Sequence, residues 1–234
     1  MIIDYVVISS DDNPTYKDFY ELVAKTWFKL GFKTYYINIT TENSIEYNEY
    51  GVIHKIKSLD GIPTSFQSQV VRLFSSNLIE GNLLMSDIDM LPLNGDYFNE
   101  NSKLLNKNNL VVFSSNPYQN VPYHAMCYIL GSSKTFKEIL NIENLSFKDY
   151  CKLLESKYGH DWNTDEKFFY DSSSNFKERL ILLKRVFNET RIDRSSWSYD
   201  ISQLQNKKYI DSHLLRPYNQ NKKELDKLFS FIFS

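Results

Sequence analysis

The stretch Asn82-Leu83-Leu84-Met85-Ser86, followed at once by Asp87-Ile88-Asp89, constrains this chain more than any other. A short apolar run that stops abruptly at polar residues reads as a buried strand. In open α/β sheets, ligand sites gather at the carboxyl ends of such strands. Two carboxylates one residue apart at a buried strand end crowd like charges, which is costly unless a cation offsets them. The pair therefore predicts a divalent cation, Mg²⁺ or Mn²⁺, on hard oxygen ligands, with substrate phosphates in its shell. A lone Asp-x-Asp also serves as a turn cap; the strand end is what argues for metal.

The surrounding pattern supplies the sheet. Tyr5 to Ile8 is an apolar, β-branched run that ends in the turn-forming Ser9-Ser10-Asp11-Asp12-Asn13-Pro14. Phe19, Leu22, Val23, Trp27 and Leu30 recur at helical spacing, which predicts a helix from about Tyr16 to Leu30 with Gly31 as its stop. Lys33–Ile39, Val52–Ile56, Leu110–Phe113, Ala125–Leu130 and Tyr209–His213 read as further strands, and Thr135–Leu140 begins a helix. A second helix, Thr64–Ile79, sets Phe66, Val70, Leu73 and Phe74 on one face and Ser65, Gln69, Arg72 and Ser76 on the other. This β-α-β-β opening predicts an α/β fold with a mostly parallel sheet covered by helices. No repeat or linker interrupts it, and 234 residues fit a single domain, 1–234.

Composition narrows the partners. With 27 basic and 29 acidic residues, the chain lacks the basic excess that drives binding to nucleic acid or anionic membranes. Any anion site must be local. Cys127 and Cys151 are too few for a disulfide framework and form no metal-spaced cluster, so reduced thiols in a cytoplasmic compartment are expected. No signal-peptide pattern opens the chain, and no run of about 18 apolar residues predicts a membrane span. The apolar tail Leu228–Phe233, preceded by Lys222, Lys223 and Lys227, is expected to dock on the core rather than lie on a membrane. The 17 Tyr and 16 Phe match what an AT-rich genome produces together with abundant Asn, Lys and Ile.

Gln69-Val70-Val71-Arg72-Leu73-Phe74, then Leu83 to Asp89, then Leu91-Pro92-Leu93, resembles nucleotide-sugar transferases of the GT-A fold, in particular their glycogenin and galactosyltransferase-like branch. The same segment, about residues 60 to 100, is similar to the small glycosyltransferase domains encoded by large chlorella viruses. The resemblance implies a Rossmann-like GT-A fold, a UDP- or GDP-sugar donor, a glycan acceptor and a metal-dependent hexosyltransferase. It implies that Asp87 contacts ribose or metal, that Asp89 binds the metal, and that Arg72 faces the nucleotide or braces the first acid. It further implies that His213 closes the metal site and Arg216 touches the diphosphate. Here the family's usual His, Gly, Lys-Pro is replaced by His213-Leu214-Leu215-Arg216-Pro217, without the Gly and with Arg for Lys.

Asp165 and Glu166 follow Asp161-Trp162-Asn163-Thr164, where inverting members of the fold place an acid that deprotonates the acceptor hydroxyl. The same residues suit an ordinary helix start. On the first reading, Asp165 is the base, an inverting course is favoured although retaining relatives carry acids in the same area, and Trp162 is a platform for the acceptor sugar. Ser9, Ser10 and Asp11 lie where the fold holds base and ribose, and they are also simple turn formers. His54, His124 and His160 stand alone and are read as structural or exposed. The rivals are a phosphatase, which wants its acid pair on the first strand, a sugar nucleotidyltransferase, which wants a Gly-rich loop, and a non-catalytic carbohydrate-binding module.

Overall fold

The computed structural model describes residues 2–115 and 121–233. In chain order the elements are β1 (Tyr5–Asp11), α1 (Pro14–Lys17), α2 (Tyr20–Lys29), β2 (Thr34–Thr40), β3 (Ser44–Asn48), β4 (Gly51–Lys57), α3 (Thr64–Phe74), β5 (Asn82–Met85), β6 (Met90–Pro92) and α4 (Gly95–Ser102). There follow β7 (Leu110–Val112), β8 (Ile129–Ser132), α5 (Ser133–Leu140), α6 (Phe147–Tyr158), α7 (Thr164–Ser173), β9 (Leu180–Leu182), α8 (Phe187–Thr190), β10 (Arg191–Ile192), α9 (Ile201–Gln205), β11 (Asp211–His213) and α10 (Tyr218–Phe233).

Eight strands form the main sheet in the order β3-β4-β2-β1-β5-β8-β7-β9. β1 pairs in parallel with both β2 and β5, β2 with β4 and β7 with β9; β3–β4, β5–β8 and β7–β8 run antiparallel. Side chains alternate across a strand, so Val6, Ile8 and Leu84 enter the core beneath α2, α4 and α10, with Trp27, Phe98 and Leu225. Val7, Leu83 and Met85 enter the opposite core, with Val70 and Leu73 of α3, Tyr150 of α6 and Phe169 of α7. Burial on both faces is why β1 and β5 read as continuous apolar runs rather than alternating ones. Gly51 opens β4 at φ +146°, where a Cβ would stand 2.0 Å from the Thr34 carbonyl oxygen, so only glycine lets β4 close on β2 here.

The site is positioned by a change of direction. After β1 the chain builds outward through β2 and β4, then α3 carries it back to β5 on the other side of β1. The crevice at such a switch point opens at the strand carboxyl ends. β6 then leaves the main sheet and joins β11 and β10 in a three-stranded sheet.

Several expectations are corrected. The helix expected over Tyr16–Leu30 is two helices, parted at Asp18 and Phe19, although Phe19, Leu22, Val23 and Trp27 all still reach the core. Ala125–Tyr128 is not strand; β8 begins at Ile129, after Tyr128 takes a positive φ of 76°. α3 ends at Phe74 and continues as a 3-10 turn, Ser75–Asn77. β3, β6, α4, α6, β9, α8, β10 and α9 were not anticipated. Leu225 and Leu228 of α10 dock on the core as expected, and no helix among the described residues is long and apolar enough to cross a membrane.

Candidate active site

Asp87 and Asp89 stand just past the end of β5, in the turn that leads into β6, but their environments differ. Asp87 is reached from α3: one Arg72 NH group donates to its Oδ1, while the other donates to Asp165 Oδ2 of α7 at 2.6 Å. Gln69, one turn earlier on α3, donates to Asp165 Oδ1 at 3.0 Å and to the Trp162 carbonyl at 2.5 Å. The face of α3 that the sequence marks as polar is thus roofed by α7, and Arg72 is buried rather than solvated. Burial pushes the Asp165 carboxyl above its usual range, opposed by Arg72 and reinforced by Asp87. The two charges beside Arg72 outweigh its desolvation and hold the guanidinium firmly protonated.

Asp89 faces the second sheet. β11 pairs antiparallel with β6 in a register that sets His213 opposite Met90, and Leu214 N–H donates to the Asp89 carbonyl at 2.9 Å. That ladder delivers His213 Nε2 to 3.5 Å from Asp89 Oδ2. Arg216 Nε lies 3.7 Å from the same oxygen, with its guanidinium over the Tyr16 ring and an N–H donated to the Tyr16 hydroxyl. Arg194, beyond β10, donates to Asp89 Oδ2 at 2.8 Å. Burial alone would raise the Asp89 carboxyl; His213, Arg194 and Arg216 reverse this and hold it well below the ordinary carboxylate range.

β11 itself is held by a sealed ion cluster. Arg185 donates twice to Asp211, at 2.6 and 2.7 Å, and Arg191 donates at 2.9 and 3.1 Å. Both guanidiniums lie over the Phe187 ring, and Arg191 also reaches Cys127 Sγ at 3.4 Å. Burial pushes the Cys127 thiol up to about 11, which makes it an inert core thiol. The role of Arg185, Arg191, Asp193 and Arg194 was missed from sequence: they fall in a polar segment without periodicity, and the alternation Arg191-Ile192-Asp193-Arg194 was its faint signal.

Other anticipated residues are placed as follows. Ser9 Oγ donates to the Ser68 carbonyl at 2.6 Å, and Ser10 Oγ meets the Tyr36 hydroxyl at 2.6 Å. Asp11 accepts from Asn13 N–H at 3.1 Å and Thr64 Oγ1 at 2.8 Å. These three therefore tie the end of β1 to β2 and α3 through their own side chains. Asp165, expected as the base for the acceptor, is only 2% exposed, with both oxygens engaged; it anchors Arg72 instead. Glu166 is buried in the first turn of α7. His54 meets the Tyr35 hydroxyl at 2.7 Å, His124 the Ser115 carbonyl at 2.9 Å and His160 Glu155 at 2.8 Å.

The donor chemistry at the strand end, two carboxylates and an imidazole, suits a hard divalent cation. His213 Nδ1 faces Asp193 Oδ2 at 3.4 Å, the kind of partner that metal-bound imidazoles take at their second nitrogen. Among the described residues no three Asp, Glu, His or Cys side chains already converge on one point. Asp87 leans to Arg72, and Asp89 and His213 lean to each other.

No family model matches the sequence, and no curated protein matches it by sequence. Solved structures do match in shape. The galactosyltransferase LgtC, solved with donor and acceptor sugar analogues, is similar at a TM-score of 0.56 and 13% identity over 97% of this chain and 95% of that one. The glycosyltransferase GlyE of Streptococcus pneumoniae TIGR4 is similar at 0.57 and 14% identity, over 100% of this chain and 61% of that one. The bifunctional glycosyltransferase WbbM is similar at 0.53 and 13% identity, over 99% of this chain and 50% of that one. At such identities the likeness speaks to the backbone alone: the chain has the α/β fold of GT-A glycosyltransferases, with its acid pair at the strand end where that fold opens.

Proposed function

We propose that this protein is a metal-dependent glycosyltransferase that moves a sugar from a nucleoside-diphosphate sugar, UDP- or GDP-linked, to a hydroxyl of a glycan. The observation that carries the reading is the meeting of Asp89, His213 and Arg216 at the carboxyl end of β5, delivered from two separate sheets, with Asp87 beside them. Asp87, Asp89 and His213 would hold Mn²⁺ or Mg²⁺, which offsets the charge that grows on a leaving diphosphate. Arg216 is suited to the same oxygens, because guanidinium pairs bidentately with phosphate. Its perch on Tyr16 aims it without a long search of rotamers.

Arg72 has a different part. Locked between Asp165 and Asp87, it fixes the first acid of the pair, so the metal and donor meet a preorganised carboxylate. The end of β1 at Ser9, Ser10 and Asp11 would form the floor under base and ribose, held rigid by its own hydrogen bonds. Asp165 as an acceptor base loses its support, and the inverting course inferred from it loses it too. Trp162, exposed beside Gln69 and α7, is the proposed platform for the acceptor ring.

The test is thermal stabilisation by a panel of nucleotide sugars, because a ligand that binds only the folded state raises its melting point. One or more UDP- or GDP-sugars should raise the melting temperature with Mn²⁺ present, lose the effect with chelator, and lose it in Asp89→Asn. Donor turnover should vanish in the same variant. A shift that is identical with chelator, or retained in Asp89→Asn, sinks the metal-dependent reading.

A further inference from the structure

Asp193 and Arg194 follow β10 directly, and β10 runs parallel to β11 with Ile192 opposite Ser212. One step further along the same ladder brings Asp193 level with His213. Asp193 Oδ1 accepts from Ser195 N–H at 2.8 Å and Ser195 Oγ at 2.6 Å. With that oxygen fastened in a turn, Oδ2 is left directed at His213 Nδ1, 3.4 Å away. Nδ1 then faces the Asp193 carboxylate, and Nε2 is the nitrogen turned to Asp89. Imidazoles that bind metals through one nitrogen are oriented this way through the other.

Arg194 makes the shortest contact to Asp89 Oδ2, at 2.8 Å, inside those of His213 at 3.5 Å and Arg216 at 3.7 Å. The two partners are unequal. Asp89 is almost wholly buried, whereas the Arg194 side chain is 28% exposed, on the solvent side of the pair. A buried carboxylate that stays ionised needs positive charge beside it. The Arg194 guanidinium supplies it, and its fork geometry also suits the oxygens of a diphosphate.

Resting on the glycosyltransferase reading above, we propose that the Asp193–Arg194 turn belongs to the donor site. Asp193 is a positioning residue that sets the His213 ring. Arg194 is the direct counter-charge of Asp89, competes with the cation for that carboxylate, and passes to the diphosphate oxygens once cation and donor bind.

The test measures binding rather than turnover, with Mn²⁺ alone followed by electron paramagnetic resonance and inorganic pyrophosphate followed by calorimetry at saturating Mn²⁺. Arg194→Met should bind Mn²⁺ alone more tightly; a seat blocked nine-tenths of the time weakens apparent affinity about tenfold. The same variant should bind pyrophosphate roughly ten- to a hundredfold more weakly, as expected for a lost charge-assisted contact, and Arg194→Lys should recover part of it. Asp193→Ala should weaken Mn²⁺ binding about ten- to a hundredfold, Asp193→Asn should restore most of it, and neither should alter pyrophosphate binding at saturating metal. Circular dichroism of each variant checks that it is folded. If wild-type protein binds Mn²⁺ and Arg194→Met changes neither affinity, the role of Arg194 is overturned while the metal site stands. If wild-type protein takes up no Mn²⁺, the metal site and the proposal fall together.

Discussion

Two buried ion clusters near the strand-end acids are built from the same residue types in inverse proportion. Around Arg72, one guanidinium serves two carboxylates, Asp87 and Asp165. Around Asp211, one carboxylate serves two guanidiniums, Arg185 and Arg191. The first cluster opens outward: the Asp87 side chain is 32% exposed, and its surplus negative charge faces the proposed cation. The second is closed. Asp211 is 0% exposed, and its surplus positive charge is spread over the Phe187 ring and Cys127. Stoichiometry sets the sign of each carboxyl's response. Burial raises Asp165 more than its share of one arginine lowers it, whereas two arginines overturn the same burial at Asp211 and hold it far below the carboxylate range. A cluster short of positive charge is ready to accept a cation; one with an excess holds a strand in place.

The largest effect should come from breaking the closed cluster. Asp211→Asn leaves two buried guanidiniums without a counter-charge, and losing one member of such a group costs about 3–5 kcal/mol. Urea unfolding should show that loss, and it should disturb His213, two residues along β11, before any direct site residue is touched. A loss under about 1 kcal/mol would show that the cluster is solvated and that the contrast is false.

A sharper and smaller test is pH. Asp211, lowered in the folded state, contributes stability that is present above its unfolded pKa of about 3.9 and is lost as pH falls further toward its folded value. Asp165, raised in the folded state, has the opposite sign: its ionisation costs stability above its folded pKa, and that cost is relieved as pH falls toward the unfolded value. Unfolding followed from pH 7 downward should therefore show Asp165→Asn losing its difference from wild type on approaching pH 4, whereas the difference for Asp211→Asn persists there and shrinks only in stronger acid. Equal pH slopes for the two variants would erase the distinction.

The smallest effect on stability lies outside both clusters. Trp162 is 73% exposed, so Trp162→Ala should change unfolding free energy by no more than about 0.5 kcal/mol. Acceptor KM should rise while donor binding is unchanged. An unaltered acceptor KM would remove Trp162 from the site.

Much of this arrangement is legible in the residues. The runs at Tyr5–Ile8 and Leu83–Met85 carry their own evidence, because strands buried on both faces are apolar throughout. Helix α3 is equally plain, with Phe66, Val70, Leu73 and Phe74 on one side. Its other side misleads: Gln69 and Arg72 look solvated because nothing nearby in sequence reveals that α7 covers them. The same blindness made Asp165 look like an available base, since an acid in the first turn of a helix looks the same whether it meets water or an arginine from another helix. The region from Ser174 to Lys208 carried least, because its short elements are held by ion pairs and hydrogen bonds, which leave no period in the sequence.

The sequence by itself determined that two carboxylates end a buried strand, because apolar patterning and a strand's termination are local properties. Only the tertiary structure decided which charge each carboxylate meets: Arg72 for Asp87, and Arg194, His213 and Arg216 for Asp89. Those partners come from distant elements brought together by the β6–β11 ladder and the packing of α7 on α3. Coulombic pairing acts through space and burial, and neither leaves a mark on the order of residues.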